Sequence, residues 1–558
     1  MAISNFQILQ TYFKLIFMMI TSPFTSTMAA ITLPPDLQDK IHTDPDAIKA
    51  ASTDYGHIVT QTPAAVLYAS SSEDLKTLIG FSFNSSAPYT VAAKGRGHSV
   101  RGQAMATNGV VVDMLSLRKK GPGIMIGGDK DSGFYADVGG EQLWIDVLNA
   151  TLQKGLTPVS LTDYLYVTVG GTLSTAGISG QTHVKGPQIN NVYELDVVTG
   201  KGELVTCSKQ QNSELFNAVL GGLGQFGIIT RARIVLEPAK TMVKWSRMLY
   251  TDFDSFCEDQ EKLISINESA SGKISNYLEG QLLMDPNFVD DFYPQEDHPR
   301  IASLIKQFGI IYVLELGIYY DADTKHSVDT KLHASFLQNI YSKDVTYFEF
   351  LNRVHGEELA LREKGLWDIP HPWLNVFVPK SRIKDFNNGV FKNILLKQNF
   401  TTSLVLVYPM YRNKWDDNMS AVIPDEEIFY TAEFLDASAD NWEAFDNKNK
   451  EILEFCDKAG IKIKQYLGHH ETKEEWANHF GSKWKTFEDR KNQLLSEAEI
   501  SQGLMSEAFV RLSFVPRLAN KAAHFMAKTA LSLESFSVWR EDLPPGLFSV
   551  LQDGFLLL

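Results

Sequence analysis

Cysteine is scarce. The 558-residue chain holds three, Cys207, Cys257 and Cys456. Their spacings match no zinc motif, and the odd count leaves at least one thiol without an intrachain partner. A disulfide framework is thereby excluded as the source of stability, and burial of apolar surface has to supply it. Positive charge is also in deficit. Fifty-two Lys and Arg stand against 67 Asp and Glu, a formal net charge of −15. That balance argues against a general nucleic-acid binder, because phosphate recognition needs a basic surface, although a local basic patch for one anion is still allowed. Long apolar runs are missing as well. Leu15-Ile16-Phe17-Met18-Met19-Ile20 falls far short of the roughly 20 residues a membrane span requires. No fixed-period repeat and no long low-complexity segment is visible.

What is present is ordinary for a soluble protein, with 44% hydrophobic and 21% charged residues. The length predicts about two to four domains. Residues 1–30 read as a secretory leader: Lys14, the short apolar run, then small residues up to Met28-Ala29-Ala30. Asn-x-Ser/Thr sequons at Asn84, Asn149, Asn267, Asn399 and Asn418 suit a secreted chain. The expected location is extracellular, in the apoplast, with the vacuole as the alternative.

The first half alternates strand-like runs with amphipathic helices. Residues 89–93, 109–113, 192–199 and 228–236 read as strands. Residues 142–153 place Leu143, Trp144, Val147, Leu148 and Leu152 near helical spacing, with Gly155 behind them as a C-terminal cap. Residues 213–220 read as a short helix stopped by Gly221-Gly222. This alternation predicts an α/β or α+β domain. From about Thr241 the glycine-rich turns thin out and aromatics increase. Strand-like 310–314 and 403–407 there alternate with helical stretches such as 442–458, and 241–465 reads as a second domain. Residues 474–490 predict one helix with Trp476, Phe480, Trp484 and Phe487 on a face.

Three glycine-rich segments stand out. Lys94-Gly95-Arg96-Gly97-His98-Ser99-Val100-Arg101-Gly102-Gln103 follows a strand-like run. Its glycines let backbone N–H groups approach a ligand closely and form an anion-binding nest, with Arg96 and Arg101 adding charge. The spacing is neither the dinucleotide fingerprint nor a P-loop. A structural turn and a phosphate cradle both fit, and His98 alone reads as an ordinary loop histidine. The other segments are 169–180 and 221–230. Three such segments within about 135 residues, each bordering a strand, favour one extended cofactor site over three independent turns.

These stretches, in this order, resemble the cytokinin dehydrogenases, plant flavoenzymes with the vanillyl-alcohol-oxidase type of fold. The resemblance is carried by Gly95-Arg96-Gly97-His98-Ser99 with Gly102-Gln103, by Thr162-Asp163-Tyr164-Leu165, and by Gly222-Leu223-Gly224-Gln225-Phe226-Gly227. Arg353-Val354-His355-Gly356-Glu357-Glu358, His371-Pro372-Trp373-Leu374-Asn375 with the run to Pro379, and Lys464-Gln465-Tyr466-Leu467 complete it, over residues 35–492. It implies an α+β, two-domain FAD-linked oxidase whose FAD domain (31–240, returning at 466–492) is split around a cytokinin-binding domain at 241–465. It also implies FAD attached covalently through His98. Backbone around Gly95, Arg96, Gly97 and Ser99 would hold the pyrophosphate, and Ala93, Gln103, Asp163, Thr168, Ser174, Ile178, Ile228 and Tyr466 would be further FAD contacts.

The implied reaction is oxidative cleavage of the N6 side chain of a cytokinin to adenine and an aldehyde, with hydride passing to flavin N5. Asp163 would be the catalytic base or acceptor for the N6–H, with its pKa raised by burial. By itself it reads as a turn or capping residue. Glu279 and Glu357 would contact the purine or line its entrance, although Glu357 alone reads as part of a solvated helix face. Val354, Trp373 and Asn375 would form the pocket wall; on its residue type alone Trp373 reads as core. A quinone-type acceptor or oxygen would take the electrons. No metal, nucleic acid or stable membrane anchor is expected, and the chain is expected to be a monomer. Lys464 reads as a solvated charge.

The resemblance stops after Asn492. Relatives continue to a Ser/Ala-Pro-Gly-Gln motif that contacts the flavin, whereas here Pro545-Gly546 is not followed by Gln. Residues 493–558 are therefore atypical, with weakened flavin binding as the expectation. The alternatives are another covalent-flavin oxidase of this fold, or an impaired splice product that at most binds cytokinin.

Overall fold

The computed structural model describes residues 31–118, 121, 123–268, 275–335 and 340–495. Residues 1–30, where a leader is expected, and the segment after 495 lie outside them. Val110-Val111-Val112, at most 1% exposed, is apolar on both faces and forms the centre of a four-stranded sheet. Val91–Lys94 and Ala65–Leu67 pair parallel with Val110–Asp113, and Ile41–His42 adds antiparallel at the edge. A strand buried on both sides needs cover on both sides. Helix Ser72–Phe83 covers one face with Leu75, Leu78 and Ile79, and helix Pro45–Ala51 covers the other with Ala47 and Ala51.

A second, antiparallel sheet runs Ile124–Asp129, Gly133–Gly139, Ile228–Pro238, Val192–Val198 and Leu204–Ser208, with Leu156–Pro158 paired to Ile228–Pro238. The expected helix at 142–153 is Trp144–Leu152, and the one at 213–220 is Ser213–Val219. The third sheet has eight antiparallel strands. Its order is Ile340–Thr346, Met242–Tyr250, Ile311–Tyr320, Tyr277–Leu283, Val405–Tyr411, Ile428–Phe434, Leu374–Pro379 and Lys464–Tyr466.

Residues 474–490 are not one helix. Lys473–Phe480 ends at Gly481, which has φ +54°, and Trp484–Leu495 starts after a short 3₁₀ turn. The break redirects the chain so that Phe487 packs on Phe226 of the third glycine-rich segment (4.8 Å between ring centroids) and Arg490 pairs with Glu214 at 3.1 Å. Lys464 is no solvated charge either: its Nζ donates to the carbonyls of Asn478 (3.4 Å) and His479 (2.5 Å) at the end of that first helix.

Helix Ile383–Phe386 widens into a π-helix over Asn387–Leu396, which approaches helix Trp442–Lys458 at Gly389. A Cβ on Gly389 would lie 1.9 Å from Phe455 Cζ. Gly389→Ala should therefore lower stability by about 1–3 kcal/mol through overpacking. Gly356→Ala, in helix Arg353–Glu363 with nothing within 4 Å of the new methyl, should leave stability unchanged or raise it slightly. Urea denaturation of the two variants checks both.

Candidate active site

The first glycine-rich segment leaves the parallel strand Val91–Lys94 and is shaped by Asp54. The Asp54 carboxylate accepts from Gly56 N (3.1 Å), Ser99 Oγ (2.9 Å) and Gly102 N (2.7 Å). Tyr55 N and Gly56 N donate to the carbonyls of Gly97 and Ser99 at 2.8 and 3.0 Å. Gly97 and Gly102 turn through φ +69° and +82°. Burial raises the Asp54 pKa against these hydrogen bonds. The hydroxyl of Ser99 is thus committed to Asp54, Gln103 Oε1 accepts from Arg101 N (2.9 Å), and Arg96 is exposed.

All three glycine-rich segments reach one cavity. Ala93 and Gly95 enter from the first, Thr168, Gly170, Gly171 and Ser174 from the second, and Gly224, Gly227 and Ile228 from the third. Gly140, which the sequence reading missed, joins them. A Cβ on Gly95 would lie 2.3 Å from Thr168 Oγ1, and one on Gly140 would lie 2.1 Å from the Ile229 carbonyl. Side chains are excluded here by contact, which leaves a backbone-walled slot suited to an extended phosphate-bearing group such as FAD. Ile178 is buried within the second segment, and Tyr466 reaches across from the third sheet to accept from Gly177 N at 3.2 Å.

His98 lies in a group of aromatic rings. Its imidazole stacks with Tyr55 (4.0 Å, 25°) and Tyr164 (4.8 Å, 30°), with Trp373 edge-on at 5.8 Å. Burial first, then the neighbouring His371, pushes its pKa down to about 3. The ring is therefore neutral across the physiological range, the form in which a ring nitrogen has a free lone pair.

Asp163 precedes Tyr164 and points into a different group of side chains. Its Oδ1 accepts from Tyr277 Oη (2.6 Å) and faces Arg353 Nη2 (3.3 Å). Its side chain is 23% exposed, more open than a buried base. Arg353 also contacts Tyr277 Oη, Glu279 Oε2 (3.5 Å) and Glu315 Oε1 (3.6 Å). Glu279 and Glu315 are directly opposed on paired strands, an arrangement that repels unless cations intervene. Arg247, 2.6 Å from Glu315, and Arg353 hold Glu315 ionised, its pKa lowered against burial. Glu279 takes the opposite course: burial and then Asp163 raise its pKa well above the carboxylate range, and Gly180 N donates to it at 3.1 Å.

Glu357 does not join this group through an ion pair with any described residue; it is exposed on helix Arg353–Glu363. Its neighbour Glu358 is buried at 3% exposure and accepts from Tyr164 Oη (2.7 Å), Arg362 Nε (2.8 Å) and His355 Nδ1 (3.0 Å). Val354 is half-buried on the same helix. Sequence reasoning assigned no role to Arg353, Glu358, Tyr277 or Glu315, because the partners of a polar side chain on a helix or strand are not visible in the sequence. On the third sheet Asn375 is cross-strand from both Glu433 and Tyr466. Asn375 Oδ1 and Trp373 Nε1 are buried without a hydrogen-bond partner, as polar groups awaiting a ligand would be. Burial, then Asp163, raises the Glu433 pKa to about 7, although Tyr408 Oη and Thr431 Oγ1 donate to it at 3.1 and 3.2 Å.

A split α+β fold with a glycine-walled cofactor slot beside a wide antiparallel sheet defines an FAD-linked oxidoreductase of the vanillyl-alcohol-oxidase type. Comparison with known families specifies it further. Residues 63–208 match the FAD binding domain model, and residues 240–504 match the model described as "Cytokinin dehydrogenase 1, FAD and cytokinin binding". The chain is 50% identical to cytokinin dehydrogenase 3 of Arabidopsis thaliana over 475 residues, 83% of this chain and 89% of that one. It is 49% identical to Arabidopsis cytokinin dehydrogenase 2 (87% and 97% covered) and 48% identical to cytokinin dehydrogenase 10 of Oryza sativa subsp. japonica (84% and 88%). The chain belongs to the cytokinin dehydrogenase family. Among the described residues no group of three or more His, Cys, Asp or Glu is placed to hold a metal, and no helix is long and apolar enough to cross a membrane.

Arg353→Met would leave Asp163, Glu279 and Glu315 facing one another with one cation fewer. It should cost about 3–5 kcal/mol in urea unfolding. Glu433 yields a pH prediction. A carboxyl whose folded pKa is raised from 4.5 to about 7 contributes stability that is complete below its unfolded pKa and is lost as pH rises through 7. The melting temperature of Glu433→Gln minus that of wild type should therefore increase from pH 4.5 to about 7 and then level off.

Proposed function

We propose that the cofactor slot and the acidic group act as one site, with His98 carrying FAD covalently and Asp163 receiving the N6–H of a cytokinin. The observation that carries this reading is the Asp163-Tyr164 dipeptide. Tyr164 stacks on His98, and Asp163 sits against Tyr277 and Arg353. One turn of chain therefore links the cofactor anchor to the substrate group. FAD, when bound, supplies a two-electron acceptor for the hydride of the carbon next to N6.

The remaining tasks fall to the protein. Tyr277 and Arg353 both engage Oδ1 of Asp163, which leaves Oδ2 to accept the substrate N–H and orient the amine. Asn375 Oδ1 and Trp373 Nε1, unpartnered in the folded chain, are available to the purine, and the aromatic faces around them suit a flat ring and a prenyl chain. Burial and Asp163 push Glu279 toward its protonated form, which limits the negative charge gathered around Asp163. The backbone of Gly95 and Gly97 with Thr168, Ser174 and Ile228 holds the cofactor, while Ser99 serves it through its backbone, since its hydroxyl is bound to Asp54. Electrons leave to a quinone-type acceptor or to oxygen, and the protein acts as a monomer. Secretion to the apoplast fits the sequons, of which Asn84, Asn149, Asn399 and Asn418 are exposed.

Anaerobic mixing with isopentenyladenine should bleach the flavin, and Asp163→Asn should slow the bleaching by about 10²–10⁴-fold. Flavin-loaded protein that does not bleach would refute the assignment. His98→Ala should release all of its flavin on denaturation; flavin retained by that variant would place the bond elsewhere.

A further inference from the structure

The reaction assigns no role to Tyr55, to the ring of Tyr164 or to Glu358, yet these residues converge on His98. Tyr55 follows Asp54, whose carboxylate fixes the 95–102 segment, and its own N–H donates to the Gly97 carbonyl beside His98. Its ring stacks on His98 and also on His371 (4.1 Å, 25°), and Trp367 lies 5.0 Å away. Tyr164 stacks on His98 from the segment that carries Asp163, and Trp367 approaches it at 5.7 Å. The Tyr164 ring is held at its far end as well, by the 2.7 Å bond from Oη to Glu358, a carboxylate that Arg362 and His355 also pin. None of the described residues hydrogen-bonds the His98 ring.

An imidazole without hydrogen bonds has no polar contact to set its torsion, so ring packing is left to do so. Stacked rings restrict rotation without engaging the ring nitrogens in hydrogen bonds. We infer that Tyr55 and Tyr164 are positioning residues that orient His98 for flavin attachment, with Glu358 fixing Tyr164 through its hydroxyl. The inference rests on the covalent reading above. Attachment forms a bond from a His98 ring nitrogen to the 8α carbon and breaks one C–H of that methyl. Two protons leave, one from the methyl and one from the imidazole, and two electrons pass to the enzyme's quinone-type or oxygen acceptor. Reactions of this kind depend steeply on the angle of approach, so a freely rotating imidazole would attach slowly even with FAD fully seated.

The test separates attachment from binding. For each full-length variant, total flavin per protein is measured by absorbance, and the covalent fraction is measured as flavin that stays with the chain after denaturation. Tyr55→Leu and Tyr164→Leu should keep total flavin within twofold of wild type while the covalent fraction falls at least fivefold. Tyr55→Phe should stay within twofold of wild type, because the ring is kept. Tyr164→Phe and Glu358→Gln, which disturb only the tether, should give intermediate covalent fractions. Leu variants with a full covalent fraction would overturn the inference. So would loss of total flavin in parallel with covalent flavin, since that is the mark of a purely structural role. Failure of the covalent reading itself looks different: wild-type protein would release its flavin on denaturation.

Discussion

The guanidinium of Arg353 is the constraint on which the site depends. It stands at the first turn of helix Arg353–Glu363 and meets Tyr277, Glu279 and Glu315 on the third sheet and Asp163 from the FAD-binding part of the chain. Without a cation at that point two opposed glutamates and an aspartate would share a poorly solvated space, and each carboxylate would raise the pKa of the others. With it, Glu315 is held ionised, and the rise that burial and Asp163 impose on Glu279 is opposed. The asymmetry is built by the protein before any substrate arrives. Arginine suits the position because its fork of donors reaches several acceptors at once from a fixed plane.

The cofactor side is organised by the opposite means. There the protein withdraws side chains. Gly95 and Gly140 approach Thr168 and the Ile229 carbonyl too closely for any Cβ, so glycine backbone forms much of the lining, alongside Met114, Thr168, Ser174 and Ile228. Asp54 compensates for the flexibility that glycine brings. Two of its three accepted hydrogen bonds, from Ser99 Oγ and Gly102 N, tie down the 95–102 segment, and the last described helix braces the opposite wall through Phe487 on Phe226. A slot built this way is rigid where it must be narrow, and it leaves the ring of His98 to aromatic packing.

Much of this was legible in the chain. The parallel core strand announced itself as an uninterrupted run of buried valines, the glycine-rich segments pointed to one cavity, and the FAD and cytokinin modules carried distinctive local patterns. Other features were not. A helix expected to be continuous over 474–490 is broken at Gly481, because a glycine inside an amphipathic pattern does not reveal whether it will turn left-handed. Glu357 and Glu358 are adjacent and chemically identical, yet only Glu358 is buried against Tyr164, and nothing in a one-residue difference of position tells a reader which face of the helix meets the core. Glu433 carries no distinguishing signal in the sequence; its pKa of about 7 comes first from burial and then from Asp163, 270 residues earlier by number.

By itself the sequence determined the classes of element, the two-part organisation and the glycine-rich segments of the cofactor slot, and its family resemblance singled out His98 and Asp163 for the roles proposed above. These are set by local spacing, by the steric demands of glycine and by side-chain type, all of which act over a few residues. The tertiary structure decided which carboxyl is pushed toward its neutral form and which is held ionised, which rings pack on His98 and which carboxyl among several enters the site. Those outcomes depend on desolvation and on charges brought together from distant segments, and electrostatic energy in a buried site is a property of the assembled neighbours rather than of any stretch of chain.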